Sequence, residues 1–360
     1  MDPSRLIPSP EAIPAPWWIL EFLGVLTLML HLLVVNIVLG GSLLMLAGRL
    51  TGADTGPAGG TSSVFAGKVP TAFAVGITLG VAPLLFFQVL YGHFFYTSSV
   101  LMAVFWILVI PAVIIGYYGA YVNARKLDSH RALATAAVAV TSLMLLYVAF
   151  AFQNNISLML HPERWVEYFA NRSGTILSLS DPVLWPRYLH FITASVAVAG
   201  LFSAIVWRLR EKKGVEEAGE KMKGGLKIFA VATMVQVVIG FWLLIALPRE
   251  VMMKFMGQHM LYTVTLFFGI ILAIAAIMAA VLGRLVPTVI LLVATVAAMI
   301  LMRTFLRTAY LEPYFQVESL WIKPQYDVFG LFLIIFVSGL VTLWFMLKWA
   351  LAAGKKEAGA

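Results

Sequence analysis

The chain has 360 residues, of which 61% are hydrophobic and 12% charged, with a mean hydropathy of +0.94. A soluble domain is nearer half apolar and a quarter charged, so the composition excludes a soluble globular protein and predicts an all-α, polytopic membrane protein. Cysteine is absent, which excludes disulfides, iron–sulfur clusters held by this chain and covalently attached c-type haem. Any metal must then take His, Met or carboxylate ligands. The net charge of +8 does not read as nucleic-acid binding in so apolar a chain; it predicts basic loops facing anionic lipid.

The N-terminus carries Pro3, Pro8, Pro10, Pro14 and Pro16 without the basic region and small-residue cleavage site of a signal peptide. Residues 1–16 are expected to be a short surface segment. A span needs about 20 apolar residues, and this length rule predicts nine. They run roughly over 17–48, 69–97, 100–124, 132–156, 187–208, 226–248, 251–282, 286–307 and 327–349. Pro83, Pro111 and Pro287 fall in or near spans, where proline kinks or starts a helix. In the longest outer connection, 157–186, Trp165, Tyr168 and Phe169 suit the membrane interface. The connections are short, and 1–360 reads as a single membrane domain.

Loop charge predicts the orientation. One side carries Arg49, Lys68, Arg125, Lys126, Arg131, the run from Arg208 to Lys227, Arg284, Lys348, Lys355 and Lys356. The other mixes Arg164, Arg172, Arg187, Arg249, Lys254 and Lys323 with acids. The positive-inside rule places the first side in the cytoplasm. That puts the N-terminus outside and a tail over 350–360 inside, in a bacterial inner membrane.

Placed on this topology, five of the six histidines avoid the cytoplasmic side; only His130 faces it. His190, His259 and His93 fall near the outer ends of their spans, His31 about halfway down the first, and His161 in an outer loop. An ionisable group inside a span is a functional hypothesis by default. Haem b is held by imidazole, or by imidazole and thioether, projected from facing helices. His190 and His31 are therefore the leading ligand candidates, with His259 or Met260 as a further one. His93 divides evenly between a ligand and an interfacial aromatic partner. Arg187, Arg249, Arg303 and Arg307 suit haem propionates. Asn36, Gln88, Gln153, Asn154, Asn155 and Gln236 read as interhelical hydrogen bonders, with Gln88 placed to line a site. From Phe22 to Pro162 the only carboxylates are Asp54 and Asp128, both in loops. No carboxylate is expected deep in a span, which counts against an ion-coupled transporter.

Several segments, in order, resemble subunit I of the cytochrome bd quinol oxidases. His31 to Gly40, H-L-L-V-V-N-I-V-L-G, is similar to the family's first span, whose His serves a high-spin haem. Gly67-Lys68, then F-A-V-G-I-T-L-G from Phe73 to Gly80, then Phe87-Gln88, resemble the second. Arg187 to His190, R-Y-L-H, resembles the fifth, whose His binds the low-spin haem b. Phe255 to Met260, F-M-G-Q-H-M, resembles the seventh, where a Met at the Met260 position is the other low-spin ligand. The chain departs from the pattern elsewhere. Leu84 to Phe86 lacks the Glu that the family places there. Met299 to Arg303 lacks a second Glu. Tyr310 to Tyr314 stands where the family has Gly-Arg-Gln-Pro-Trp. Leu247-Pro248-Arg249-Glu250 leaves no room for the quinol-binding loop.

The resemblance implies a bd-like respiratory subunit holding two or more haems b, one site being high-spin with haem b or d. It also implies a second membrane subunit. Without the quinol loop, electrons are expected to pass through a periplasmic c-type cytochrome or a quinol site on a partner. The alternatives are a divergent bd-type oxygen reductase and a haem-free transporter or structural subunit.

Overall fold

The structure is a computed structural model that describes residues 3–54, 60–127 and 129–357. Asp128 and residues 358–360 of the expected tail lie outside the described residues, as do the side chains of Lys355 and Lys356. Among the described residues, nine helices are long and apolar enough to cross a membrane. They are α1 (Trp17–Leu50), α2 (Val69–Leu101), α3 (Ala103–Lys126), α4 (Arg131–Leu160) and α5 (Leu184–Glu211). They continue as α6 (Ala218–Ala246), α7 (Met260–Val281), α8 (Leu285–Leu311) and α9 (Tyr326–Glu357, apolar over Tyr326–Met346). Nine spans were expected from the sequence, and the reason is general. Hydrocarbon offers the backbone no hydrogen-bond partners, so a long apolar run must satisfy its own.

Successive helices alternate in direction, which creates two faces. One, here the strap face, carries both the N-terminal segment and the 161–183 connection. The opposite, basic face carries Arg49, Lys68, Arg131 and Arg210. On the strap face, the N–H of Ile13 donates to Trp321 O at 2.9 Å, and the N–H of Lys323 donates back to Ile13 O at 2.9 Å. Ile13 and Ala15 are buried. The N-terminal segment is thus partly interior rather than a surface tail, because its backbone pairs with the stretch leading into α9. Trp165 also departs from expectation. It is buried, with its indole N–H on Leu158 O at 2.8 Å, while Phe169 of the same short 3-10 turn is exposed.

The seventh span begins at Met260, not near 251. A short helix over Arg249–Met253 passes into a π-type turn over Lys254–Gln258. There Gly257 adopts φ +120° and His259 an extended backbone, so the apolar pattern continues across a break in the helix. Gly257 is where a residue with a Cβ would be strained. The prolines divide in two. Pro287 sits in the first turn of α8, and Pro111 near the restart of α3 at Val109. Pro83 lies inside α2, which also loses helical geometry at Tyr91.

α5 is the centre of the bundle, packed on α1 and, most extensively, on α6. Small residues permit this. A Cβ at Gly40 of α1 would collide with the backbone carbonyl of Ser195, and one at Gly225 of α6 would lie 2.7 Å from Ala204 N. Such close approach is how helices gain packing in lipid, where hydrophobicity gives no preference between helix and acyl chain. An aromatic cluster built around Tyr91, Phe94, Phe95, Trp165 and Phe255 fills the strap-face half.

Candidate functional site

His31 projects from α1 onto α2. Its Nδ1 lies 2.9 Å from Gly76 O, one turn before Gly80, and a Cβ at Gly80 would stand 2.8 Å from the His31 ring. Gly80 beds the imidazole, while Gly76 contributes its carbonyl and turns its own missing Cβ toward Val34 and Val35. A ring whose Nδ1–H is held by a backbone carbonyl is fixed in tautomer and orientation, with Nε2 left as the ligand atom.

His190 lies two turns into α5. The side-chain nitrogen of Gln236, on α6, is 3.1 Å from its Nε2, and Gly240 sits against the ring, where a Cβ would be 3.4 Å from Cε1. An amide donor there makes Nε2 the acceptor. Nδ1 then carries the proton, and it is buried with no partner among the described residues. The same Gln236 nitrogen approaches Met299 Sδ, on α8, at 3.7 Å. His190, Gln236 and Met299 therefore form one layer across three helices.

Toward the strap face, that layer is capped by cations. Arg187 is one turn from His190. It donates to Ser157 Oγ at 3.2 Å, while its Nη2 is buried without a partner. Arg303 feels the charges of Arg307 and Arg187, both like its own. Arg307 is buried and pairs with Glu21 of α1 at 2.7 Å, its guanidinium lying 4.0 Å over the Tyr91 ring. The Tyr91 hydroxyl also reaches Glu21, at 3.4 Å. Asp181, the acid near Arg187, gives one oxygen to the N–H of Val183 at 2.9 Å and keeps the other buried and unpartnered. Three guanidiniums thus share two carboxylates, and one of those is partly engaged elsewhere.

Glu21 is a side chain of this cluster that the sequence reading did not single out. It lies inside α1, four residues after Trp17, where position alone suggests the interface. Its ion pair with a residue 286 positions away leaves no local trace. Tyr91 and Met299 were missed for the same reason.

The remaining candidates are dispersed. His93 has a buried, unpartnered Nε2, with its ring 4.5 Å from Phe94 and 4.7 Å from Phe315. His259 is exposed and stacks on Tyr262 at 3.9 Å. Met260 is 80% exposed, because the helix break places it at the mouth of α7. The thioether beside the His190–Gln236 pair belongs to Met299 instead. Arg249 is exposed in the short helix before α7. His161 is half-buried, its Nδ1 on Ser157 O at 2.9 Å and its ring 5.4 Å from Tyr310. His130 is exposed beside Ser129. Asn36, Asn154 and Asn155 bond between segments, to Ser195, Ser178 and Ser98 at 2.8, 2.7 and 3.0 Å. Gln88 is half-buried, and Gln153 keeps a buried oxygen without a partner.

Among the described residues, no three His, Asp or Glu side chains gather as a metal-ion cage. A haem does not need one, since its porphyrin supplies four ligands and the protein adds only axial donors. The residues fit such a group in two respects: imidazoles bedded against glycine inside spans, and a guanidinium cluster with too few carboxylates one turn outward. No family model, curated protein or solved structure matches this chain.

Proposed function

We propose that the chain is a haem b-binding, cytochrome bd-like subunit that carries electrons in a respiratory complex of the bacterial inner membrane. The observation that carries this reading is the surroundings of His190. Its buried Nδ1 lacks a partner, and one turn away Arg187 keeps a buried, unpartnered guanidinium nitrogen beside the like-charged Arg303. Such an arrangement is unfavourable unless an anion completes it. Two propionates would supply that anion; with the Gln236 amide turned over, its oxygen would accept from Nε2–H and leave the Nδ1 lone pair to an iron. Haem b, when bound, supplies a one-electron donor and acceptor. His190 would hold one iron, and His31, its Nδ1 on Gly76, would hold a second. Arg187 and Arg303 neutralise propionates, and Glu21 orients Arg307 beside them. The basic face lies in the cytoplasm by the positive-inside rule, which opens the strap face to a periplasmic c-type cytochrome. A quinol site, on this reading, belongs to a companion membrane subunit.

The test is a reduced-minus-oxidised optical spectrum of the purified protein, repeated with carbon monoxide and for His190→Ala. A low-spin b signal, lost in the variant and unmoved by carbon monoxide, is the expected result. Unchanged haem content in His190→Ala overturns the ligand assignment. A carbon monoxide-shifted band makes the chain an oxygen reductase, and a colourless protein removes the haem reading altogether.

A further inference from the structure

A groove of about 400 Å³ opens on the basic face between α1, α2 and α5. Its volume falls within the range of small-ligand sites, roughly 300–1,000 Å³. Val34 and Ile37 of α1, Val75 of α2 and Phe202 of α5 line it, and Lys68 and Thr71 stand at its end. The walls suit hydrocarbon; the end does not.

Lys68 immediately precedes α2, outside the apolar span. Burial and the nearby Arg210 guanidinium push its ammonium below the ordinary lysine range. Neither influence is relieved by an acid, since no carboxylate pairs with Lys68 among the described residues. Arg210 is itself fixed, donating to Ser63 Oγ and O at 2.9 and 2.7 Å while it lies 4.4 Å over the Trp207 ring. Lys221 covers the same ring at 4.8 Å. Two acids of the basic face are spent on other cations: Asp54 on Arg49, Glu217 on Lys221. A cationic end joined to an apolar trough, at the edge of a membrane span, is complementary to a single class of molecule. We infer that the groove is a binding site for an anionic phospholipid of the bilayer, its phosphate on Lys68 beside Arg210 and one acyl chain along Val34, Val75 and Phe202.

A freely snorkelling lysine also reaches headgroups, so the test must separate a site from the lipid annulus. The full-length protein is purified in detergent and titrated, by native mass spectrometry, with phosphatidylglycerol and with phosphatidylcholine. One phosphatidylglycerol is expected to be retained well beyond the annular background. Lys68→Gln is expected to weaken it about fivefold, the effect of one basic residue near an anionic lipid surface, and Lys68→Arg to preserve it. Val75→Trp, which fills the trough and leaves the charge, is expected to weaken it as well. All three variants are checked for an unchanged lipid-free melting temperature. Equal retention of the two lipids, or equal affinity of the wild type and Lys68→Gln, overturns the proposal. Displacement of the lipid by inorganic phosphate alone overturns the acyl-chain part and leaves a phosphate site.

Discussion

α5 and α9 are both apolar enough to span a membrane, α9 the more so, yet half of the most apolar stretch of α5 is buried by the rest of the chain and none of that of α9 is. The more hydrophobic helix is the more peripheral one. α5 presents Ser195, Ala197, Ala199, Gly200, Ser203 and Ala204 to its neighbours, and its backbone is approached closely by Gly40 and Gly225. α9 presents Leu, Ile, Phe and Trp around its whole circumference and meets the bundle through few contacts, Phe332 on Phe86 at 6.0 Å among them. Its Phe329, Phe332 and Phe336 stack on one another instead. In lipid, large apolar side chains are indifferent between acyl chains and protein, whereas small residues and hydrogen-bonding pairs gain only from protein. Hydropathy therefore detects the span, and small and polar residues detect the interior.

The contrast can be broken most forcefully at Gly40. Gly40→Leu drives a side chain into the Ser195 carbonyl and is expected to cost more than about 3 kcal/mol, enough to abolish recovery of monodisperse protein. If Gly40→Leu behaves like wild type in size-exclusion and thermal unfolding, the α1–α5 crossing is wrong. Arg307→Met comes next. It leaves Glu21 charged and largely enclosed, which costs about 3 kcal/mol when a buried pair loses one partner. Adding Glu21→Gln is expected to restore much of that loss, and an additive double mutant argues against the pair. Asn36→Val removes the interhelical acceptor of the Ser195 hydroxyl and leaves it Phe191 O of its own helix. A membrane interhelical hydrogen bond averages about 0.6 kcal/mol, so a small drop in the unfolding midpoint is expected, and none at all places the bond outside the interior. Gly339→Leu, on α9, completes the set. A Cβ there meets nothing, so a change within about 0.5 kcal/mol is expected; a large loss reveals packing around α9 that this chain alone does not provide.

Much of the candidate site was legible because lone polar residues stand out in apolar runs. His31, His190, Gln236 and Asn36 were visible in this way, and each meets a partner on another helix. Met260 was visible too, but Gly257 and the extended backbone at His259 interrupt the helix and leave it facing outward. Glu21 hid behind Trp17 and Trp18 at the edge of its span, and Met299 among the sixteen methionines of an apolar chain. Nothing local marks which carboxylate will meet Arg307 or which thioether will approach Gln236.

The sequence by itself determined the class, the number of spans and the charge asymmetry of their connections, because a hydrocarbon solvent imposes backbone self-satisfaction and apolar length on every segment independently. The tertiary structure decided which helix lies at the centre. It also decided where α7 begins, and that Arg187, Arg303 and Arg307 gather above His190 with Glu21 paired to Arg307. Those outcomes depend on close approach between helices distant in sequence, where a missing Cβ or a single ion pair selects among many arrangements of nearly equal hydropathy.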